Sequence, residues 1–567
     1  MNIFLIVLTL SSVVFAGGSN TSNKTDASTN EANRPVLHYT APTGWINDPN
    51  GLWYDAKDQI WHLYFQYYPY SEYWGEPLYW GHTVSEDLTH WNYSGIAISP
   101  PKNNTGAFSG SIVVDSNNTS GFFNDSIDPR QRAVAFWTYN TPEDQTQFVS
   151  YSMDGGYNFT PYSGNPVLNI SSTQYRDPKV VWHEESQKWI LALAHSQKYE
   201  VLIYSSSNLT SWKLESSFSH HGIMGYQYEC PGLARVPIVK TSHSDELHFN
   251  STDGHEVWSS SFFDNGTNSS LPDTAWVLFL SVNPGAPLGG SVNQYFIGDF
   301  NGTHFVPYTS QTRFLDMGKD FYAFQAFFNS AGGTDVLGIA WASNWEYGQY
   351  VPTAPWKSSM SLVRNFTIRQ YAPNPESVEL NLNSEPILNL DKQLKNETIF
   401  KIYNQTLLPS KPLSYNVSKP TGVFEFDLTF TVDESYYNNT IFADFSILFR
   451  GSRDRKEYLK IGYEANAASF YIDRGHSKVS FVKENPYFTD RLSVLNEPYE
   501  ILSSNLSSYK VYGVFDKNIL ELYFNDGSEV STNLFFFSDR NFVGEVDIST
   551  KHDKIFGIQN FEFRQLR

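Results

Sequence analysis

Short apolar and aromatic segments, each ended by turn-forming residues, recur along most of this chain. Examples are IWHLYFQYYP (60–69), AVAFWTYN (133–140), FVSYSM (148–153) and WVLFLSV (276–282). Apolar residues at helical spacing are not sustained over ten or more positions, whereas segments of this length and composition are typical of β-strands. The pattern predicts an all-β protein.

Three hairpin-like segments share one plan, in which a strand ends in a small hydroxyl residue and a turn leads to an aromatic residue. They are TVSEDLTHWNYS (83–94), SYSMDGGYNFT (150–160) and IYSSSNLTSWKLES (203–216). Hairpins that recur tens of residues apart favour a radial array of small sheets, a β-propeller, over a sandwich. Their spacing is irregular, so the repeats alone do not predict a blade number.

A chain of 567 residues is too long for one ordinary domain and suits two. Beyond about residue 393, strands such as FEFDLTFTV and YKVYGVFD resemble an antiparallel sandwich. The polar stretch at 243–274 is interpreted as a solvated loop. The predicted limits are a signal peptide at 1–16, a polar leader at 17–33, a β-propeller domain at 34–385, a linker at 386–392 and a β-sandwich at 393–567.

The first sixteen residues, MNIFLIVLTLSSVVFA, are too short for a comfortable membrane span and are typical of a secretory signal. About twenty Asn-x-Ser/Thr acceptors predict an exported, N-glycosylated protein, extracellular or held in the periplasm or cell wall. The formal net charge of −20 argues against nucleic acid and anionic membranes as partners and favours a neutral substrate. The abundant aromatic residues indicate carbohydrate, although a large all-β protein also uses them in strands.

Three acidic residues lie in unusual local settings: Asp48 in WINDPNG, Asp177 in QYRDPKV and Glu229 in YQYECPG. Asn, Asp, Pro and Gly also make ordinary surface turns, so one such motif has little weight. Proline after Asp48 and Asp177 is expected to hold each aspartate in the extended region and so to aim its carboxylate. The adjacent Arg176 predicts a lowered pKa for Asp177, and aromatic neighbours predict a raised pKa for Glu229. Glycoside hydrolysis requires carboxyl groups in such different states.

The chain strongly resembles the yeast secreted β-fructofuranosidases of glycoside hydrolase family 32, which include invertase and exo-inulinase. The resemblance covers essentially the whole mature chain. It is carried by NRPVLHYTAPTGWINDPNGLWYD, WGHTVSEDLTHW, GAFSGSIVVD, NNTSGFFNDSIDPRQR, QYRDPKVVW, GYQYECPGL, NPGAPLGGSVNQYF, GIAWASNWEY and PWKSSMSLVR. The segment YYPYSEYW (67–74) is more aromatic than is usual in the family and could favour longer acceptors by stacking.

This resemblance implies a five-bladed β-propeller followed by a β-sandwich, and hydrolysis of terminal β-D-fructofuranosides with retained configuration. It implies that Asp48 is the nucleophile, Glu229 the general acid/base and Asp177 a transition-state stabiliser. The implied substrate-binding residues, from the fructose pocket to its rim and the leaving-group site, are Asn47, Gln66, Trp74, Phe108, Ser109, Arg176, Gln227, Asn283, Trp341 and Trp345. It calls for no metal and no organic cofactor, and it suggests a homodimer or larger homo-oligomer through the sandwich.

Two other classes of function remain open, one enzymatic and one without catalysis. An exo-inulinase or a fructosyltransferase would carry the same motifs, and a secreted sugar-binding protein could use the same scaffold without catalysis. Cys230 is interpreted as a small buried residue and not a nucleophile, because no histidine lies within its motif. His62, His82 and His183 are interpreted as hydrogen-bonded structural residues and not as metal ligands.

Overall fold

The structure is a computed structural model. It describes residues 31–239, 272–329, 335–374, 377–388, 396–436, 442–495 and 497–566. The predicted signal peptide, nearly all of the polar leader and most of the polar stretch at 243–274 lie outside the described residues. The predicted linker at 386–392 is described only as far as residue 388.

Nearly all of the regular secondary structure in the described part of the chain is β-strand, which confirms the all-β prediction. The strands before residue 387 are β1 (Gly44–Asp55), β2 (Ile60–Tyr68), β3 (Tyr79–Ser85), β4 (Asn92–Ile98), β5 (Gly106–Val114), β6 (Ala133–Asn140), β7 (Gln145–Tyr151), β8 (Thr160–Pro161), β9 (Tyr175–His183), β10 (Lys188–His195), β11 (Glu200–Ser206), β12 (Lys213–Ser219), β13 (Tyr228–Pro237), β14 (Thr274–Val282), β15 (Val292–Phe300), β16 (Phe305–Pro307), β17 (Arg313–Phe314), β18 (Tyr322–Ala326), β19 (Val336–Trp341), β20 (Trp356–Lys357), β21 (Arg364–Asn374) and β22 (Ser377–Pro386). We call this part the five-sheet region.

The strands after residue 395 are β23 (Asn396–Thr406), β24 (Leu413–Asn416), β25 (Val423–Asp433), β26 (Asp444–Gly451), β27 (Tyr458–Glu464), β28 (Ser469–Asp473), β29 (Arg491–Leu495), β30 (Glu500–Ser503), β31 (Leu506–Asp516), β32 (Ile519–Phe524), β33 (Glu529–Leu534), β34 (Val543–Thr550) and β35 (Phe556–Leu566). We call this part the two-sheet region. The helix α1 (Val479–Glu484) lies between β28 and β29. Short 3-10 helices lie at Glu31–Asn33, Pro129–Gln131, Ser196–Lys198, Gly348–Tyr350, Glu434–Tyr436 and Asn525–Gly527.

The five-sheet region contains five small sheets that follow one another along the chain. Their strand orders are β20-β1-β2-β3-β4, β5-β6-β7-β8, β9-β10-β11-β12, β13-β14-β15-β16 with β17 also on β15, and β18-β19-β21-β22. The first strand in sequence of each sheet contacts that of the next, in the order β1, β5, β9, β13 and β18, and β18 contacts β1. The late strand β20 pairs in parallel with β1 and so joins the first sheet.

The two-sheet region consists of a seven-stranded sheet built around β25, β31 and β35 and a six-stranded sheet built around β26, β27 and β34. Inward-facing aromatic residues from both sheets form one apolar core, including Phe424 and Phe426 from the first sheet and Phe445 and Phe449 from the second. From Phe426 onward, buried residues of β25 alternate with partly buried ones, which explains why its sequence is typical of a strand with one buried face.

Buried charges join the two regions, and we call this cluster the interface network. Arg364 of β21 forms ion pairs of 2.9 Å with Asp316 and with Glu521 of β32, while Arg474 of the two-sheet region pairs at 2.6 Å with Asp320. The ring of His38 lies between Asp516 at 2.9 Å and Glu521 at 3.2 Å. Buried charges of this kind persist only when each is paired.

The N-terminal segment is fastened to the same network through its backbone. The amides of Val36, Leu37 and His38 donate to the carboxylate of Asp516 at 2.7–2.9 Å. Among the described residues, no helix is long and apolar enough to cross a membrane. The same residues contain no group of three or more His, Cys, Asp or Glu side chains that could hold a metal ion.

Candidate active site

Asp48 lies on β1 at a point where the pairing with β2 is irregular, between Ile46 and Pro49. Its side chain is held by donors on both oxygens: Asn47 Nδ2 donates to Oδ1 at 3.0 Å and Ser109 Oγ donates to Oδ2 at 2.6 Å. Trp45 Nε1 in turn donates to Asn47 Oδ1 at 2.9 Å. The motif WINDPNG therefore forms a strand with one rigidly held carboxylate and not a surface turn.

Asp177 lies on β9, and its backbone differs from the sequence-based expectation. Its φ is +65°, in the left-handed region, so the prediction that Pro178 keeps it extended is wrong. The pairing of β9 with β10 is irregular opposite this position, and aspartate tolerates the left-handed conformation better than most residues. The amide of Asp177 donates to Thr138 Oγ1 at 3.0 Å, which holds the irregular strand in place.

Glu229 lies on β13 and is surrounded by hydrogen-bond donors. Arg176 Nη2 donates to Oε1 at 3.0 Å, Gln227 Nε2 donates to Oε1 at 3.2 Å, and Tyr322 Oη donates to Oε2 at 2.5 Å. The expected aromatic neighbours are not what surrounds it, because the hydroxyl of Tyr228 donates to a backbone carbonyl elsewhere and Tyr226 is exposed. The predicted raised pKa of Glu229 stays a prediction.

Cys230 contacts the carboxylates of Asp48 and Asp177 and directly follows Glu229. Its amide donates to Asp177 Oδ2 at 2.9 Å, while its thiol lies 3.5 Å from Asp48 Oδ2 and 3.6 Å from Asp177 Oδ2. The residue has a φ of +46° and is buried, as expected from its sequence. Because Glu229 precedes it directly, three carboxylates from three different sheets converge on one spot.

Burial dominates the electrostatics of this cluster. It raises the pKa of Asp48, although the hydrogen bonds from Ser109 and Asn47 oppose the rise. It also raises the pKa of Asp177 to about 7, and the neighbouring charge of Arg176 only reduces this effect. The prediction of a lowered pKa for Asp177 is therefore wrong, because adjacency to arginine in sequence says nothing about the loss of solvent.

Aromatic rings line one side of the cluster. Trp45 contacts Trp341 and Trp345 with ring centroids 5.7 Å apart in each pair. Trp341 has no exposed surface, whereas Trp345 is partly buried. Of these two residues, both implied by the resemblance, Trp345 is the one with surface that a ligand could contact.

The other residues implied by the resemblance lie around the same spot. Trp74 packs against the Trp45 cluster and edge-on to Phe108, the neighbour of Ser109. Gln66 is buried and donates to the carbonyl of Ala107, two residues before Ser109. The amide of Asn283 lies 3.4 Å from the carbonyl of Gln227, so these two residues are adjacent.

Two family profiles together match almost all of the part of the chain that forms this fold. Residues 38–377 match the Glycosyl hydrolases family 32 N-terminal domain and residues 389–563 match the Glycosyl hydrolases family 32 C terminal domain. The chain belongs to glycosyl hydrolase family 32.

Similar proteins support this assignment over the full length of the family 32 chain. It is 53% identical to Invertase 2 of Saccharomyces cerevisiae, over 95% of this chain and 96% of the relative. It is 43% identical to the Extracellular exo-inulinase of Meyerozyma guilliermondii, over 95% and 96%. A solved fructofuranosidase from Schwanniomyces occidentalis, complexed with fructose, has a TM-score of 0.84 and 45% identity over 95% of this chain and 99% of that chain.

Several residues that hold the site of this family 32 enzyme carried no signal in its sequence. Tyr322 lies in an ordinary apolar strand, KDFYAFQAF, and Thr138 lies in AVAFWTYN. Gln145 accepts from the backbone of Tyr175 and lies 3.3 Å from Arg176 Nη1. Such residues are far from the motifs in sequence, and only a three-dimensional arrangement of the sheets reveals them.

Proposed function

We propose that this enzyme hydrolyses terminal, non-reducing β-D-fructofuranoside bonds, with sucrose and short fructans as substrates. The observation that carries the proposal is the convergence of Asp48, Asp177 and Glu229 around Cys230, with Arg176 paired to Glu229. The invertase and exo-inulinase names of similar proteins support this substrate class, as does a related structure described as complexed with fructosylnystose.

In the proposed mechanism, Asp48 attacks the anomeric C2 of the fructosyl unit while Glu229 donates a proton to the departing glycosyl oxygen. The bond to the leaving group breaks as a covalent fructosyl–Asp48 ester forms. Glu229, now ionised, takes a proton from a water molecule as the oxygen of that water attacks C2. The bond between C2 and Asp48 breaks, and fructose is released with retained configuration. A retaining mechanism requires the carboxyl groups of Asp48 and Glu229 to lie about 5–5.5 Å apart.

Asp177 has a different proposed role, because it does not bond to the reacting carbon. Its carboxylate would accept hydrogen bonds from fructose hydroxyls. Burial raises the pKa of Asp48 and Asp177, and the negative charge of Glu229 adds to the rise. The positive charge of an oxocarbenium-like transition state would be attracted to these carboxylates, so the site would bind that state more strongly than the ground state.

We also propose that the five-sheet region is a five-bladed β-propeller within limits of 34–385, followed by a linker at 386–392 and a sandwich domain at 393–567. The ring of contacts among β1, β5, β9, β13 and β18 supports this arrangement. The carboxylates on β1, β9 and β13 then lie on the innermost strands, around the axis of the ring. This arrangement explains why residues so distant in sequence share one site.

Export, N-glycosylation and a homo-oligomer complete the proposal. A similar protein is named as extracellular, and the chain carries many glycosylation acceptors. Treatment of the expressed protein with endoglycosidase is expected to lower its apparent mass. Light scattering of the deglycosylated protein is expected to give at least twice the mass of the mature chain, which is below the 64.7 kDa of the full sequence because the signal peptide is removed; a monomer at all concentrations would reject the oligomer.

The first test replaces the two central carboxylates. Asp48→Asn and Glu229→Gln are each expected to reduce kcat on sucrose by at least about 10⁴-fold, while the thermal unfolding temperature stays within a few degrees of that of the unchanged protein. Asp299→Asn is a matched control, since its carboxylate accepts from Tyr308 on the outer part of the fourth sheet, away from the cluster. Sucrose cleavage retained by either variant would remove the role assigned to that residue.

A product analysis separates the activities that share these motifs. Sucrose, inulin and a concentrated sucrose solution are each incubated with the enzyme, and the products are resolved by chromatography. Fructose and glucose as the main products of sucrose identify a hydrolase of invertase type. Faster release from inulin would identify an exo-inulinase, and trisaccharides at high sucrose would identify a transferase.

A further inference from the structure

The loop between β2 and β3 presents tyrosine side chains to solvent beside the candidate active site. Tyr70 is 69% exposed and Tyr73 is 54% exposed. Exposed large aromatic rings are ordinary when they are single, but a group of them next to a ligand pocket marks a binding surface. The proposed mechanism uses neither residue.

Ring contacts connect Tyr70 to the aromatic wall of the site. Tyr68 packs against the cluster that contains Trp45 and Trp341. The ring of Tyr70 meets that of Tyr68 edge-on, with centroids 5.7 Å apart, and also meets Tyr79 at 6.2 Å. The exposed Tyr70 is therefore linked through Tyr68 to the aromatic residues of the site, while Tyr73 directly precedes Trp74 in sequence.

Packing contacts hold the loop between β2 and β3 in position. At the other end of the loop, Trp74 packs on the same cluster and contacts Phe108. Gly75 lies directly against the ring of Tyr68, where an added Cβ would come within 2.8 Å of it. The loop thus folds back onto Tyr68 and is held at both ends, with Tyr70 and Tyr73 between these ends.

The register of the strands gives the distance of this surface from the nucleophile. Trp45 is paired with Tyr68 across β1 and β2. Asp48 lies three residues from Trp45, and Tyr70 lies two residues beyond Tyr68. At 3.3–3.4 Å per residue along the strands, with about 5 Å added for the step between the paired strands, the path between them is at most about 22 Å. The tyrosines therefore lie within reach of a ligand that is longer than a disaccharide and is bound at Asp48.

The chemistry of the surface favours a neutral, hydroxyl-rich ligand. Tyrosine offers an apolar ring face for the C–H face of a sugar and a hydroxyl for its polar edge. Glu72 and Glu76 lie on the same loop, and the chain has a net charge of −20, so an anionic ligand would be repelled. Tyr70 and Tyr79 bring their hydroxyl oxygens to 3.5 Å from each other, which offers two polar groups side by side.

We propose that Tyr68, Tyr70 and Tyr73 form an outer binding surface for the leaving-group side of oligofructosides longer than sucrose. The inference rests on the proposed function, because it assumes that the cleaved bond lies at Asp48. It adds a statement about substrate length: units beyond the second sugar ring stack on these tyrosines and contribute to binding. Such contacts exist in both the ground state and the transition state, so they act mainly on KM.

The test compares sucrose with the fructan tetrasaccharide nystose on full-length, purified protein. For Tyr70→Ala and Tyr73→Ala, the ratio of kcat/KM on nystose to kcat/KM on sucrose is expected to fall about five-fold each, which corresponds to about 1 kcal/mol. The change is expected in KM for nystose. Tyr70→Phe keeps the ring and is expected to keep the ratio. Tyr403→Ala, which removes a tyrosine of similar exposure from the two-sheet region, is the matched control.

Each outcome decides one point. A ratio that stays unchanged in both alanine variants overturns the outer surface, as does an equal loss on both substrates. A loss in Tyr70→Phe equal to that in Tyr70→Ala would also overturn stacking as the cause. Failure of the unchanged protein to cleave sucrose and nystose would instead refute the proposed function, and that result is distinguishable because it appears before any tyrosine is replaced.

Discussion

Buried carboxylates occur in two places in this protein, and the two differ in how their charge is balanced. At the candidate active site, three carboxylates face one arginine, and burial raises the pKa of both aspartates. In the interface network, two arginines and a histidine face four carboxylates, one of which also receives three backbone amides. Of the three active-site carboxylates, Glu229 forms the ion pair with Arg176, whereas in the interface network each carboxylate has a cationic partner.

The direction of the pKa shifts expresses this difference. In the interface network, burial works against ionisation, but the charge of Arg364 and the hydrogen bond from His38 lower the pKa of Glu521 to about 2. Burial likewise opposes the charged form of His38, yet its bonds to Asp516 and Glu521 raise its pKa to about 9. Asp316 is an exception, because burial raises its pKa despite the nearby Arg364.

The largest effect on stability is expected from Arg364→Met. It leaves the buried carboxylates of Asp316 and Glu521 without their shared cation, and it is expected to lower the free energy of unfolding by about 3–5 kcal/mol in denaturant titrations. Arg369→Met, which breaks an exposed pair with Glu385, is the control and is expected to cost at most about 1 kcal/mol. Equal losses in the free energy of unfolding for Arg364→Met and Arg369→Met would contradict a stabilising role of Arg364 in the interface network.

A pH dependence of intermediate size is expected from His38. Its pKa in the folded protein is about 9, above its ordinary value of 6.5, so its stabilising contribution is complete below pH 6.5 and is lost as the pH rises through 9. The loss is expected to be on the order of 3 kcal/mol. Denaturant titrations from pH 6 to 9.5 should show this slope, and His38→Gln should flatten it. A slope unchanged in the variant would assign the dependence to another group.

The smallest effect, and one of opposite sign, is expected from Asp177→Asn. The raised pKa of Asp177 means that folding becomes less favourable as the pH rises from about 4 through 7, because the buried carboxyl must ionise. Asparagine can still accept from the amide of Cys230 and carries no charge. At pH 7.5 the variant is expected to be about 0.5–2 kcal/mol more stable than the unchanged protein, and to be inactive.

A second buried aspartate provides the control for this gain. Asp115 receives four hydrogen bonds, from the amides and hydroxyls of Thr119 and Ser120. Asp115→Asn is expected to destabilise the protein, because an amide replaces an acceptor of four donors. If Asp177→Asn and Asp115→Asn both lower the free energy of unfolding, the buried carboxyl of Asp177 does not cost stability and the prediction is wrong.

The sequence predicted the all-β class, because short alternating segments and turn residues leave few other options. It also singled out three carboxylates that the structure brings together, since each lies in a compact and distinctive motif, while their catalytic roles stay predictions. It could not predict the backbone at Asp177 or its pKa, because strand irregularity and loss of solvent both depend on packing against other sheets. Tyr322 was missed for the same reason, since its contact with Glu229 joins two strands that are 93 residues apart.

The amides of residues 36–38 find their acceptor in Asp516, almost at the far end of the chain. During translation, the start of the protein leaves the ribosome long before that acceptor has been made. The opening segment therefore cannot take its final place until nearly the whole polypeptide has been synthesised. A gene shortened from its 3′ end to encode the five-sheet region alone would therefore leave these three amides without their acceptor.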